Sequence, residues 1–176
     1  MDEVQTGGGP TGKIWAHEFF NLSGPPDIVT FSKKMLTGGF YNKPELSPKQ
    51  AYRVFNTWVG EPSKLVLLEA VLDTIVKENL LTRVTQVGEE MMKSLMDLST
   101  KYPGIFSNVR GRGTFCAVDC DSADRREKIV GLMRSHGVHL GVCGDTAIRF
   151  RPTLTFDHHH LHILMDKLNT VLSKVA

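Results

Sequence analysis

The sequence has few cysteines, no long apolar run and almost no net charge, and each of these deficits excludes a class of protein. Three cysteines among 176 residues are too few for a disulfide framework, so we expect reduced thiols in an intracellular compartment. No run of about 18 apolar residues is present, so we expect no transmembrane helix and no membrane partner. The first residues show neither a secretory signal nor a transit peptide. Because 21 basic and 19 acidic residues give a net charge of +2, no nucleic-acid partner is expected either.

The remaining composition is that of a folded chain, and it divides into three stretches. Apolar residues make up 41% of the chain and charged residues 23%. Residues 1–60 are rich in glycine and proline and contain one short apolar run, at 27–31, that predicts a strand. Residues 61–101 show apolar residues at helical spacing and predict a long helix, which Asn79 bends or breaks. Residues 102–176 alternate between strand and helix patterns.

The third stretch predicts a small α+β unit. Strands are expected at 114–119, 138–140 and 148–150. Helices are expected at 121–135 and 157–175, where apolar residues recur every three or four positions. Mixed elements of this kind are typical of helices packed on one face of a small sheet.

Two adjacent lysines follow the first predicted strand. A lysine that packs against apolar residues at a strand end loses solvent, which favours the neutral amine that a Schiff base requires. Lys33 and Lys34 fit this pattern. The ordinary alternative, a solvated pair on the surface, remains open from the pattern alone.

The N-terminal residues and a glycine run offer a second candidate site. Asp2 is suited to hold a protonated ring nitrogen, and Gln5 to donate to a ring oxygen. A plain turn or loop cap is the alternative for both residues. The glycines at 7–9 do not fit the dinucleotide or P-loop phosphate patterns.

Arginine and histidine pairs occur in the last two predicted elements. Arg149 and Arg151 alternate with apolar residues on a predicted strand, and a guanidinium fork suits a carboxylate ligand; a structural salt bridge is the alternative. His158 and His162 share one helix face. Although Asp157 is near, no carboxylate or cysteine completes a convincing ligand set, and we predict no metal site.

Five segments, spread in order over essentially the whole chain, carry a more specific pattern. They read DEVQTGGGPTGK at 2–13, PDIVTFSK at 26–33, FNTW at 55–58, VRGRGTF at 109–115 and IRFRP at 148–152. Together they resemble the pyridoxal-phosphate-dependent class III aminotransferases of fold type I. The resemblance implies that the chain forms part of an α/β fold. It implies that residues 1–60 are the end of the large cofactor domain, residues 61–101 a long connecting helix, and residues 102–176 the small C-terminal α+β domain.

The resemblance also implies roles for five residues. Asp2 matches the aspartate that pairs with the pyridine nitrogen of pyridoxal 5′-phosphate, and Gln5 the residue that contacts its ring hydroxyl. Lys33 matches the lysine that binds the cofactor covalently and then moves the proton between carbon centres. Thr57 matches the threonine that reaches the cofactor phosphate of the neighbouring subunit, which implies a homodimer. Arg149 matches the arginine that binds the α-carboxylate of glutamate or 2-oxoglutarate.

The same resemblance implies an activity and a compartment. The motifs are most similar to family members that transfer the amino group of 4-aminobutyrate to 2-oxoglutarate in the mitochondrial matrix. Action on ornithine, β-alanine or a related ω-amino acid is one alternative, and a truncated product without catalysis is another. Lys34 remains an alternative to Lys33.

The family chains are much longer, and this sequence begins abruptly at the Asp2 motif. We therefore expect a fragment that is inactive alone and prone to associate.

Overall fold

The computed structural model describes residues 1–55 and 57–176, and these form two compact units. The N-terminal unit comprises Met1–Gly9 and Lys13–Leu80, and the C-terminal unit comprises Pro10–Gly12 and Leu81–Ala176. Asn56, in the FNTW motif, lies outside the described residues. No helix among those described is long and apolar enough to cross a membrane.

The N-terminal unit is built on a two-stranded antiparallel sheet. Strand β1 (Ile28–Phe31) pairs with strand β2 (Gly39–Asn42). The first three residues run along the other side of β1: the amide of Thr30 donates to the carbonyl of Met1 at 3.0 Å, and the amide of Glu3 donates to the carbonyl of Thr30 at 3.0 Å. β1 lies where the sequence predicts a strand, whereas no strand was predicted at β2.

The helical stretch forms two helices rather than one. Helix α1 (Pro62–Lys77) begins with proline at its first position, where Glu61 accepts a hydrogen bond from the amide of Ser63. Helix α2 (Leu80–Lys101) follows after Asn79, whose φ of 50° lies in the left-handed region. Asparagine adopts this conformation more readily than most residues, so the break predicted at Asn79 is confirmed.

The C-terminal unit packs helices against a four-stranded antiparallel sheet. In chain order its further elements are β3 (Phe106–Arg112), β4 (Phe115–Cys120), α3 (Ala123–Ser135), β5 (Gly141–Cys143), β6 (Ala147–Phe150) and α4 (His158–Leu172). The strand order is β3-β4-β6-β5. Alternate residues of β4 are buried, with Cys116, Val118 and Cys120 facing the core. The core continues through fully buried residues of the helices: Val87, Met91, Leu95, Ile129, Met133, Leu161 and Leu168.

In this unit one strand prediction was wrong, and one strand was not predicted. The strand expected at 138–140 lies at Gly141–Cys143 instead, because residues before it close helix α3. Gly137 takes a φ of 79°, and the amide of Val138 donates to the carbonyl of Met133 at 2.9 Å, which is a typical helix C-cap. Strand β3 was not predicted, because it is a mostly exposed edge strand interrupted by an irregularity after Ser107.

Candidate functional site

Lys33 lies directly after β1 in a strained turn. It opens a 3₁₀ turn (Lys33–Met35) with a φ of 54°, and Leu36 closes the turn with a φ of 57°. Positive φ is uncommon for residues other than glycine, so the surrounding structure must hold this turn in place. The apolar packing expected around Lys33 is not present among the described residues, since Lys33 is exposed.

The two lysines differ in their surroundings. Lys34 is half-buried, and its Cβ lies 3.3 Å from the position that a Cβ on Gly8 would occupy. The glycine-rich turn therefore packs against the stem of Lys34. Of the two residues, Lys33 is the more exposed.

Asp2 presents an ionised carboxylate beside the same strand. Its Oδ1 accepts hydrogen bonds from the amide of Val4 at 3.0 Å and from the hydroxyl of Thr30 at 2.9 Å. These two bonds, with the charge of Lys33 as a smaller contribution, hold the pKa of Asp2 below its usual value. Its Oδ2 accepts no hydrogen bond from the described residues, so this oxygen can accept one from a cationic N–H. The arrangement fits a protonated pyridine nitrogen.

Gln5 and Thr57 are both exposed in turns. Gln5 belongs to the turn that follows Asp2, and Thr57 lies in the turn that precedes α1. The amide of Glu61 donates to the carbonyl of Trp58 at 3.2 Å and closes this second turn. Their assignment to the cofactor remains a prediction.

A buried carboxylate that the sequence did not indicate braces the N-terminal segment. Glu3 is 3% exposed and accepts hydrogen bonds from the hydroxyl of Thr6, from the amide of Ala16 at 3.2 Å and from the amide of His17 at 2.7 Å. Burial raises the pKa of Glu3, but these bonds outweigh burial, and the pKa lies below its ordinary value. Because Ala16 and His17 are distant in sequence, no local pattern marks Glu3. This anchor fixes the backbone that carries Asp2.

Arg149 is the half-buried residue at the centre of the C-terminal sheet. On β6 it lies opposite Ala117 of β4 and Gly141 of β5. Its guanidinium forms no hydrogen bond or salt bridge with the described residues, so the structural salt bridge that the sequence left open is not formed among them. An uncommitted guanidinium of this kind favours binding of an external anion.

The cleft beside Arg149 combines positive charge with apolar walls. Its volume is about 430 Å³. Arg149 and Arg151 line it together with two imidazoles, and no carboxylate does. Its main apolar lining consists of Met91, Leu140, Phe150, Phe156, Ile163 and Leu164. A small carboxylate-bearing molecule with an aliphatic chain suits these walls.

His158 and His162 of α4 contact a carboxylate that is distant from them in the sequence. Glu90 of α2 accepts from His158 Nδ1 through Oε2 and from His162 Nε2 through Oε1, the latter at 2.9 Å. No group of three or more His, Cys, Asp or Glu placed to hold a metal ion occurs in the part of the chain that the structure describes. These contacts are hydrogen bonds between two helices.

One family model matches nearly the whole chain. The model of the class III aminotransferases matches residues 1–172, and the chain belongs to this family. Pyridoxal phosphate is the cofactor of these enzymes, and the fold is the fold type I arrangement that the sequence predicted.

Individual relatives are similar over nearly the whole chain. It is 51% identical over 173 residues to the mouse mitochondrial 4-aminobutyrate aminotransferase and 50% identical over 173 residues to the human one, covering 98% of this chain and 35% of each relative. A solved lysine aminotransferase of M. tuberculosis superimposes with a TM-score of 0.90 at 28% identity, covering 99% of this chain and 41% of that one. The chain thus spans about a third of the length of these curated relatives.

Proposed function

We propose that this chain supplies part of the active site of a pyridoxal-phosphate-dependent 4-aminobutyrate:2-oxoglutarate aminotransferase. The observation that carries the proposal is the pairing, beside β1, of an ionised Asp2 that has one open oxygen with an exposed Lys33. Relatives that are about 50% identical over 173 residues, 35% of their own length, bear the name of this activity. Their names also support a mitochondrial location.

Each cofactor-site residue has a separate task in this proposal. The cofactor, when bound, supplies an electron sink for the carbanion that forms at the amine-bearing carbon. Asp2 keeps the ring nitrogen protonated through its open Oδ2, and Gln5 contacts the ring hydroxyl. Lys33 holds the cofactor covalently and afterwards accepts and returns the proton.

Arg149 orients the substrate. Its guanidinium binds the α-carboxylate of glutamate or 2-oxoglutarate, for which a planar fork of donors is suited. The apolar walls of the cleft exclude water from the bound ion pair and so strengthen it. Support comes from the absence of any competing carboxylate partner for Arg149 among the described residues.

A homodimer completes the proposed site, with Thr57 bound to the cofactor phosphate of the partner subunit. Several large apolar residues around and within α1 are exposed, as expected of a surface that another chain covers: Phe55, Trp58, Leu65, Val66 and Val76. The division at residues 60 and 101 into cofactor domain, connecting helix and small domain also remains a proposal.

Reductive trapping tests the cofactor assignment. The full-length protein is incubated with pyridoxal phosphate, reduced with borohydride, digested and mapped by mass. We expect labelling at Lys33, its loss in Lys33→Ala, and its retention in the matched variant Lys34→Ala. Labelling that is lost in Lys34→Ala and retained in Lys33→Ala would assign the cofactor to Lys34 instead. Labelling scattered over several lysines would refute the assignment.

Amine-donor profiling tests the substrate assignment. The full-length protein is assayed with 4-aminobutyrate, ornithine, β-alanine and lysine at equal concentration, with 2-oxoglutarate as acceptor. We expect the highest kcat/KM for 4-aminobutyrate. A preference for another donor would leave the assignment as an aminotransferase in place and would change the proposed substrate.

A further inference from the structure

We infer that Gly141 is a positioning residue for Arg149, because its lack of a side chain lets the arginine lie across β5. The inference rests on the proposed carboxylate-binding role of Arg149 and extends it to a residue that itself touches no substrate. Gly141 and Arg149 both lie in the C-terminal unit.

The register of the sheet places Arg149 between two very small residues. Ala117 lies opposite it on β4 and Gly141 opposite it on β5. Residues directly opposite each other in antiparallel strands project from the same face, with their Cβ atoms about 4.5–5.5 Å apart. The long Arg149 side chain therefore has a methyl group on one side and no side chain on the other.

The arginine occupies the space above Gly141. A Cβ added to Gly141 would lie 2.8 Å from Nε of Arg149 and 3.1 Å from its Cγ, and the third nearest atom is its Cδ at 3.5 Å. A carbon and a nitrogen that are not bonded do not approach to 2.8 Å in a relaxed structure, since their favourable separation is about 3.5 Å or more. Any side chain at this position would displace Arg149.

The backbone gives no separate reason for glycine at this position. Gly141 is not among the glycines with positive φ, so alanine is compatible with its conformation. The three nearest atoms all belong to the flexible side chain of Arg149 rather than to the backbone. Gly141→Ala is therefore expected to move the guanidinium and leave the sheet intact.

Movement of the guanidinium weakens carboxylate binding. A planar fork makes two parallel hydrogen bonds only in one orientation, and a displaced side chain loses at least one of them. The loss of one charge-assisted hydrogen bond corresponds to about a ten- to hundredfold decrease in affinity. Because the ground state and the transition state both hold the carboxylate, KM is expected to change more than kcat.

The test uses Gly141→Ala in the full-length holoenzyme. KM for 2-oxoglutarate and the dissociation constant of glutarate, an unreactive dicarboxylate measured by calorimetry, are each expected to rise about tenfold or more, with kcat within about threefold. Gly131→Ala is the matched control, because a Cβ on Gly131 meets nothing within 4 Å. This control should bind glutarate as the wild type does.

A double variant separates this inference from the role of Arg149. If Gly141 acts through Arg149, Gly141→Ala has no further effect on glutarate binding in the Arg149→Ala background. Two results would overturn the inference. One is a dissociation constant of glutarate for Gly141→Ala within twofold of the wild-type value. The other is that Gly141→Ala weakens glutarate binding as much in the Arg149→Ala variant as in the wild type. If Arg149→Ala alone leaves glutarate binding unchanged, the carboxylate role of Arg149 fails, and with it this inference.

Discussion

Backbone conformation and packing at single residues distinguish side chains that look equivalent in the sequence. Lys33 and Lys34 are identical neighbours, yet the turn at Lys33–Met35 leaves Lys33 exposed and packs the stem of Lys34 against Gly8. The cysteines differ in the same way. Cys116 and Cys120 are buried, and Cys143 is exposed on β5.

We predict that Cys143 alone reacts with a thiol reagent in the folded protein. Burial raises the pKa of Cys116 to about 12, and burial together with the charge of Asp121 raises that of Cys120 to about 11. Both thiols therefore stay protonated at neutral pH, and the thiolate is the nucleophile. Titration with a chromogenic disulfide of the 176-residue chain should give about one fast equivalent.

Cys143→Ser is the matched variant for this titration. It should remove the fast phase and leave only thiols that react after unfolding in denaturant. Fast reaction of a second thiol in the native protein would contradict the burial of Cys116 and Cys120.

At the scale of secondary-structure elements, close approaches and capping contacts fix how the helices of the C-terminal unit pack. Gly88 of α2 lies against the turn between β3 and β4, where a Cβ would meet the carbonyl carbon and oxygen of Gly113 at 2.3 Å. Glu90, two residues further along this helix, binds His158 and His162 of α4. Different faces of the same turn of α2 therefore contact the sheet and another helix.

We predict that Gly88→Ala destabilises the protein by about 2 kcal/mol or more. Alanine gains about 1 kcal/mol in helix propensity, but overlap with the backbone of Gly113 forces the helix and the turn apart, and overpacking of a core costs about 1–3 kcal/mol even where side chains can adjust. Thermal and denaturant unfolding measure the difference.

Gly131→Ala in α3 makes the same substitution in open space. It should stabilise the protein by about 0.5–1 kcal/mol, because only the propensity gain remains. An unchanged or raised Tm for Gly88→Ala would refute the close packing of α2.

We predict that the contact between α2 and α4 depends on pH through Glu90. The hydrogen bonds from His158 and then His162 hold the pKa of Glu90 below its ordinary value of 4.5. A carboxylate with a lowered pKa stabilises the fold above its unfolded pKa, and this contribution is lost as the pH falls through the folded pKa. Glu90→Gln should therefore lower Tm at pH 6–7, and the difference should diminish as the pH falls below 4.5 and through the lowered pKa of the folded state.

Glu89→Gln is the matched control, because Glu89 is the exposed neighbour on the same helix. It should leave Tm unchanged over the same range of pH. A Tm difference for Glu90→Gln that persists at pH 3 would show that Glu90 acts by packing rather than by charge.

At the scale of the whole molecule, the distribution of apolar residues is uneven. The C-terminal unit has a continuous core of helix and sheet residues. In the N-terminal unit, α1 carries a single buried residue, Ile75, and leaves Val66 at 65% and Val76 at 78% exposed. Such a surface is typical of an element that another chain or another segment covers.

We predict that the isolated 176-residue chain associates in solution and shows no turnover with 4-aminobutyrate and 2-oxoglutarate. Association follows from the exposed apolar side chains on α1. Sedimentation velocity at several concentrations and a coupled assay for succinic semialdehyde measure the two properties.

Val66→Lys with Val76→Lys should reduce the association, whereas Lys64→Arg, on the same helix, should not. A monomer at all concentrations would contradict the first expectation, and measurable turnover would contradict the second.

The sequence by itself determined the family and most of the elements. Motifs such as PDIVTFSK and IRFRP depend on residue order, and β1, β6, α3 and α4 follow from local apolar spacing and capping residues. Tertiary structure alone decided the Glu3 anchor, the Glu90 contacts, the placement of the Arg149 side chain over Gly141 and the late start of β5. The side-chain contacts join residues that approach one another only after folding, and the start of β5 depends on the completion of the cap of helix α3. Neither a contact of this kind nor a helix cap produces a periodic pattern of apolar residues in the sequence. The spacing of residues along the chain predicts which of them share a face of a helix or strand. It does not predict which elements contact each other, because those contacts are set by tertiary packing.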